Sequence, residues 1–98
     1  MGNEFFPDCL DRSNALNFPG ATRAYQGLLV KTGLNSNQAV DGDWGDQTDI
    51  TTKMLQNYLG VPVTSKFDAA TRAATLLSDY ADDFRVCLLE VPLAEKIV

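Results

Sequence analysis

Two nonapeptides, residues 40–48 and 63–71, carry a valine, an aromatic and a threonine at the same offsets, and this registered repeat constrains the fold more than any other feature. The first reads Val40-Asp41-Gly42-Asp43-Trp44-Gly45-Asp46-Gln47-Thr48, the second Val63-Thr64-Ser65-Lys66-Phe67-Asp68-Ala69-Ala70-Thr71. Asp-Gly is a strong turn signal, and the aspartates and threonine that follow suit the start of a helix. The repeat therefore predicts two strand-like turns, each feeding a helix.

Helical periodicity fills the space around them. Ala21, Ala24, Tyr25, Leu28, Leu29 and Thr32 recur at spacings of three and four, predicting a first helix that starts at Pro19-Gly20, with Asn17 as cap, and stops at Gly33. A second helix, capped by Asp46 or Thr48, is expected to bury Ile50, Met54, Leu55, Tyr58 and Leu59 before Gly60 and Pro62 end it. Asp68 caps a third, whose apolar positions Ala70, Ala73, Ala74, Leu77, Tyr80, Ala81, Phe84, Cys87 and Leu88 keep helical spacing over five turns. Phe5, Phe6, Leu10, Ala15, Leu16 and Phe18 give the N-terminal extension apolar anchors, so it is expected to dock. The sum is an all-α, three-helix bundle with two short strand-like turns. It forms a single domain over 1–98, with a core at 19–77 and extensions at 1–18 and 78–98.

A chain of 98 residues, 45% apolar and 21% charged, has globular composition and room for one modest core. Its longest apolar runs are too short to cross a bilayer. A net charge of −5, with basic residues scattered singly, disfavours nucleic acid and anionic membranes as partners. The first residues lack both the basic start and the apolar stretch of a signal peptide. Cytoplasmic synthesis is the expectation, with action elsewhere only after release. Cys9 and Cys87 read as two partly buried thiols; the alternative is a clasp between the two extensions in an oxidising compartment.

The repeat and its surroundings resemble the peptidoglycan-binding domain, type 1, of cell-wall hydrolases and phage endolysins. That pattern has an apolar-glutamine pair in helix one, a closing glycine, and Val-Asp-Gly-x-aromatic-Gly-x-x-Thr. Here these are Tyr25-Gln26, Gly33, and Val40 with Asp41, Gly42, Trp44, Gly45 and Thr48. The second half follows as Leu55-Gln56, Gly60-Val61 and a weaker turn ending at Thr71. The likeness spans about residues 21–77. The chain departs from it where Thr64-Ser65 replace Asp-Gly, where Asp68 replaces the later glycine, and where the third helix runs on. The second turn is accordingly expected to be remodelled.

No histidine is present, which removes Ser-His and Cys-His nucleophiles and the usual zinc ligands. Carboxylate-only glycosidase chemistry needs two acids flanking one bond, and the sole dense cluster, Asp41, Asp43, Asp46 and Asp49, reads as turn and cap residues. An EF-hand loop counted from Asp41 would place Thr52 where a bidentate acid is needed. No catalytic residue, metal or cofactor is expected. Trp44 reads as a core plug, with a sugar-stacking platform as the alternative, and Gln26 and Gln56 read as ligands of the turn backbones. Asp43, Gln47, Asn57 and Tyr58 are the candidates for ligand contact. The resemblance implies a non-catalytic module that binds peptidoglycan, from a phage or bacterial lysis system. The alternative is a protein–protein module on the same scaffold, either structural or inhibiting a host defence, with the apolar extensions as its interface.

Overall fold

A computed structural model describes residues 7–85. The described chain is all-α, running from a single 3-10 turn, Ala15–Asn17, through α1 (Pro19–Thr32), α2 (Asp46–Leu59), α3 (Ala69–Thr75) and α4 (Ala81–Arg85). Among these residues there is no strand, and one isolated antiparallel bridge joins Leu10 to Phe67. Leu10 N donates to Phe67 O at 3.1 Å and Phe67 N to Leu10 O at 2.8 Å. The N-terminal extension thus docks as expected, and it does so on the second turn. Leu10 and Ala15 are buried and Phe18 packs against the core. Leu16 points to solvent, contrary to the anchor expected there. Phe5 and Phe6 lie outside the described residues.

Proline fixes the start of α1. Pro19 takes the first helical position, which makes Phe18 rather than Asn17 the cap. Asn17 instead closes the 3-10 turn, its N–H bonded to Asn14 O at 2.9 Å. The Phe18 carbonyl accepts from both Thr22 N and Thr22 Oγ1 at 2.8 Å. The helix ends at Gly33 as predicted, and α2 ends at Gly60 with Gly60 N on Asn57 O and Val61 N on Gln56 O. That double bond is the Schellman closure.

The buried face of α2 differs from the expected one. Thr48, Thr51, Thr52, Leu55 and Gln56 point inward, whereas Ile50, Met54 and Tyr58 are 43%, 39% and 51% exposed. The helix is rotated because its polar groups have partners inside. Thr52 Oγ1 meets Tyr25 OH at 2.8 Å, Thr51 Oγ1 accepts from Asn35 Nδ2 at 2.9 Å, and Gln56 reaches the second turn. A buried hydroxyl with a partner is well tolerated, so burial follows the hydrogen bonds rather than the apolar stripe. Nor do Asp46 and Thr48 cap this helix: Gly45 is the N-cap, and both residues lie in its first turn.

The third helix is also shorter than its periodicity suggests. Asp68 caps α3 as predicted, accepting from Thr71 N at 3.0 Å, but the helix stops at Thr75. Ser78 breaks it. Its Oγ donates to Thr75 O at 2.7 Å and accepts from Tyr80 N at 3.1 Å, diverting the groups that would continue the helical ladder. Ala70, Ala73 and Leu77 are therefore exposed, and α4 is re-aimed so that Phe84 is fully buried. Cys87 and Leu88 lie outside the described residues, so the clasp with Cys9 does too.

An aromatic row forms the centre. Tyr25 stacks on Trp44 at a centroid distance of 5.4 Å and 16° between planes, touches Phe67 at 4.6 Å, and Phe67 meets Phe84 at 6.0 Å. Each turn thus sends its aromatic to one shared tyrosine. Burial pushes the Tyr25 phenol well above its ordinary value.

Candidate functional site

Each turn is closed by one glutamine side chain. Gln26 Oε1 accepts from Asp41 N at 3.0 Å and Gly42 N at 2.8 Å, while its Nε2 faces Asp41 Oδ1 (3.1 Å), Asp43 O (2.9 Å) and Thr48 Oγ1 (3.1 Å). Gln56 repeats this atom for atom. Its Oε1 accepts from Thr64 N at 2.9 Å and Ser65 N at 3.1 Å, and its Nε2 faces Thr64 Oγ1 (2.9 Å), Lys66 O (2.8 Å) and Thr71 Oγ1 (2.9 Å). An amide nitrogen has two hydrogens, so one is shared between acceptors in each clamp. Both glutamines are buried, satisfied and occupied with the backbone.

The second turn is not remodelled. Ser65 adopts φ 66°, close to the 77° of Gly42 at the same offset, although a left-handed conformation strains a residue with a Cβ. The carboxylate has moved instead. In the first turn Asp41 accepts from Gln26 and from Asp43 N at 3.0 Å. In the second, Asp68 accepts Thr64 Oγ1 at 2.8 Å and Thr71 Oγ1 at 2.7 Å, and those hydroxyls accept from Gln56. Replacing Asp41 by Thr64 and Gly45 by Asp68 is thus a paired change that keeps one carboxylate per clamp.

Two predictions arise here. Ser65→Gly relieves the left-handed strain and is expected to stabilise by about 0.5–1 kcal/mol, whereas Gly42→Ala costs about 1–2 kcal/mol. A Cβ at Gly42 would also lie 3.0 Å from Arg23 Nη2. Urea midpoints at matched slopes would check both. The second concerns acid. Partial burial pulls the Asp68 carboxyl up, but hydrogen bonds from Thr71 and Thr64 outweigh it and hold it below the usual carboxylate range. A folded pKa below the unfolded value gives stability that is complete above about pH 4–5 and lost as pH falls through the folded value. Stability measured by urea should therefore drop below about pH 4, and Asp68→Asn should flatten that drop while lowering the plateau.

Three of the four clustered aspartates, Asp41, Asp46 and Asp49, have partners within the protein. Arg12 Nη1 contacts Asp46 at 3.0 Å and Asp49 at 2.9 Å, and Trp44 Nε1 donates to Asp49 Oδ1 at 2.6 Å. Trp44 is 4% exposed and packs in the core. Among the described residues, no three of His, Cys, Asp and Glu are grouped to hold a metal ion, and no helix is long and apolar enough to cross a membrane.

The four candidate contact residues are all exposed, and two separate depressions divide three of them. Asp43 and Gln47 line a polar cavity of about 370 Å³ beside the first clamp, with Asn37, Gln38, Asp41 and Asp46. Gln47 Oε1 accepts there from Asn35 Nδ2 at 2.9 Å. Sequence reasoning missed Gln38, which gave no signal beyond its place in a polar loop. Its Nε2 donates to Ala39 O at 2.8 Å, and its Oε1 is shielded from solvent with no hydrogen-bond partner in the protein. Tyr58 belongs to a second, open depression of about 540 Å³, lined also by Leu59, Ala74, Leu77, Ser78 and Asp79. Its hydroxyl donates to Asp79 Oδ2 at 3.3 Å and its ring lies 5.6 Å from that of Tyr80. The Asp79 charge pushes the Tyr58 phenol above its ordinary value. Asn57 is exposed on α2 and lines neither.

Set against known protein families, curated proteins and solved structures, the chain matches none.

Proposed function

We propose that this chain is a non-catalytic peptidoglycan-binding module, a three-helix bundle of α1 to α3 carrying two clamped turns, from a phage or bacterial lysis system. The observation that supports it most is the duplicated glutamine clamp. Gln26 and Gln56 each gather the turn that the resemblance singled out, with the same atoms in the same roles. Such rigid turns present neighbouring side chains at fixed positions, which lowers the ordering cost of weak surface binding. The polar cavity at Asp43 and Gln47 offers carboxylates and carboxamides, a mixture suited to the hydroxyl and amide groups of glycan and stem peptide. Asp41 and Asp49 are tied into the turn through Gln26 and Trp44, which leaves no free pair of carboxylates in the cluster set aside for hydrolysis. Purified protein is expected to co-sediment with isolated sacculi above an albumin control, and Asp43→Ala with Gln47→Ala to lower retention severalfold. Wild-type protein left wholly in the supernatant would overturn the reading.

A second reading, a protein–protein module, is favoured by a different observation. Ile50, Met54 and Tyr58 form an exposed stripe one helical turn apart, and Leu77 is 90% exposed. The apolar ends of the two extensions, Phe5-Phe6 and Leu88-Leu89-Glu90-Val91, lie outside the described residues.

A further inference from the structure

We propose that the open depression between the C-terminal half of α2 and the α3–α4 connection binds an alkylammonium group, with the ammonium at Asp79 and its methylene stem along Tyr58, Leu59, Ala74 and Leu77. This depression is chemically unlike the polar cavity at the first clamp. Its side-chain donors are already used: Tyr58 OH is given to Asp79 Oδ2 at 3.3 Å, and Ser78 Oγ to Thr75 O at 2.7 Å. Leu59, Ala74 and Leu77 have none to give. What the side chains still offer is acceptor capacity, on the Asp79 carboxylate and the phenol oxygen. The lining contains a negative charge and no basic side chain. A neutral polyol entering here would desolvate that carboxylate without neutralising it, whereas an ammonium does both jobs at once.

The remaining walls fit the rest of such a ligand. A chain of methylenes gains by covering Leu59, Ala74 and Leu77 while its charged tip stays at the rim. The Tyr58 ring adds attraction for a cation at its face. It is held in place from one side by Tyr80, whose ring stands 5.6 Å away at 46° and whose hydroxyl donates to Thr32 O at 3.4 Å. Only its natural source rests on the wall-binding reading: there, the amine is the side chain of a diamino acid in the stem peptide.

The test is a titration of the isotope-labelled protein with Nα-acetyl-lysine methylamide, followed by amide and side-chain NMR shifts, against the neutral Nα,Nε-diacetyl compound. Saturable shifts at Tyr58, Ala74, Leu77 and Asp79 are expected with the amine, in the millimolar range, and binding of the acetylated probe should be at least about fivefold weaker. Asp79→Asn should remove the preference between the two probes, while Tyr58→Phe, which keeps the ring and releases the carboxylate, should retain it. The spectra report whether each variant is folded. Equal response to both probes, or no response to the amine at tens of millimolar, overturns the proposal. The sacculus assay separates the two ideas. Amine binding without retention on sacculi leaves this site standing and removes the wall reading. Retention without any amine response does the reverse.

Discussion

Replacing Gln26 by alanine is expected to lower stability by about 3 kcal/mol, and replacing Gln56 to do nearly the same. Each substitution removes every contact of a buried carboxamide. For Gln26, two backbone N–H groups lose their acceptor, and one carbonyl and two side-chain oxygens lose a donor, although Asp41 Oδ1 keeps Asp43 N and Thr48 Oγ1 keeps Gln38 Nε2 at 3.3 Å. Asp41 is exposed, so water can replace part of the loss there. Thr48 and Thr71 are buried and have less recourse. In a domain of this size the loss corresponds to a fall in melting temperature of roughly 12–24 °C. Gln26→Met fills the same volume without the hydrogen bonds, and should lose almost as much. Calorimetry of the three variants checks this directly. A loss below about 1 kcal/mol in both alanine variants would show that the clamps contribute little beyond solvated turns.

Removing the Trp44 side chain gives the other large effect. Trp44→Ala is expected to cost about 3–5 kcal/mol, because it opens a cavity against Tyr25 and deletes the bond to Asp49. Trp44→Phe restores the residue that the second repeat uses at this offset, and its cost should fall to about 1–2 kcal/mol. This pair also separates packing from sugar stacking. If Trp44 were a platform for glycan, Trp44→Phe would weaken sacculus retention with little change in stability. A buried ring in contact with Tyr25 leads to the opposite expectation: stability falls while retention by the folded fraction is kept.

How much was legible in the sequence varies with the kind of signal. Pro19, Gly33, Gly60 and Asp68 act through local backbone geometry, and each marks a helix end where predicted. Trp44 also read correctly as a core residue, and Phe67 at the same offset of the second repeat is buried with it. The inward face of α2 was misread because apolar spacing marked Ile50, Met54 and Tyr58, while the helix turns by its hydrogen-bonding threonines. A threonine pattern looks the same on either face until Tyr25, Gln26 and Asn35 supply the partners. The length of α3 was misread for a similar reason: Ser78 is compatible with helix in sequence, and its competing hydrogen bonds exist only once Thr75 and Tyr80 are placed. Asp43, Gln47 and Asn57 were correctly placed at the surface, whereas Tyr58 had also been assigned to the buried face of α2, and spacing could not show that Asp43 and Gln47 line one depression and Tyr58 another.

The sequence by itself determined that the turn motif is repeated in register, that Trp44 plugs the core, and that a glutamine serves each turn. These follow from short-range geometry and from repetition, which survives any rearrangement of the rest. Only the tertiary structure decided that Leu10 pairs with Phe67 and that Tyr58 on α2 meets Asp79 in the α3–α4 connection. Those outcomes depend on groups 21 to 57 residues apart in the chain, and no local pattern fixes which distant donor reaches which acceptor until packing of the core has set the distance between them.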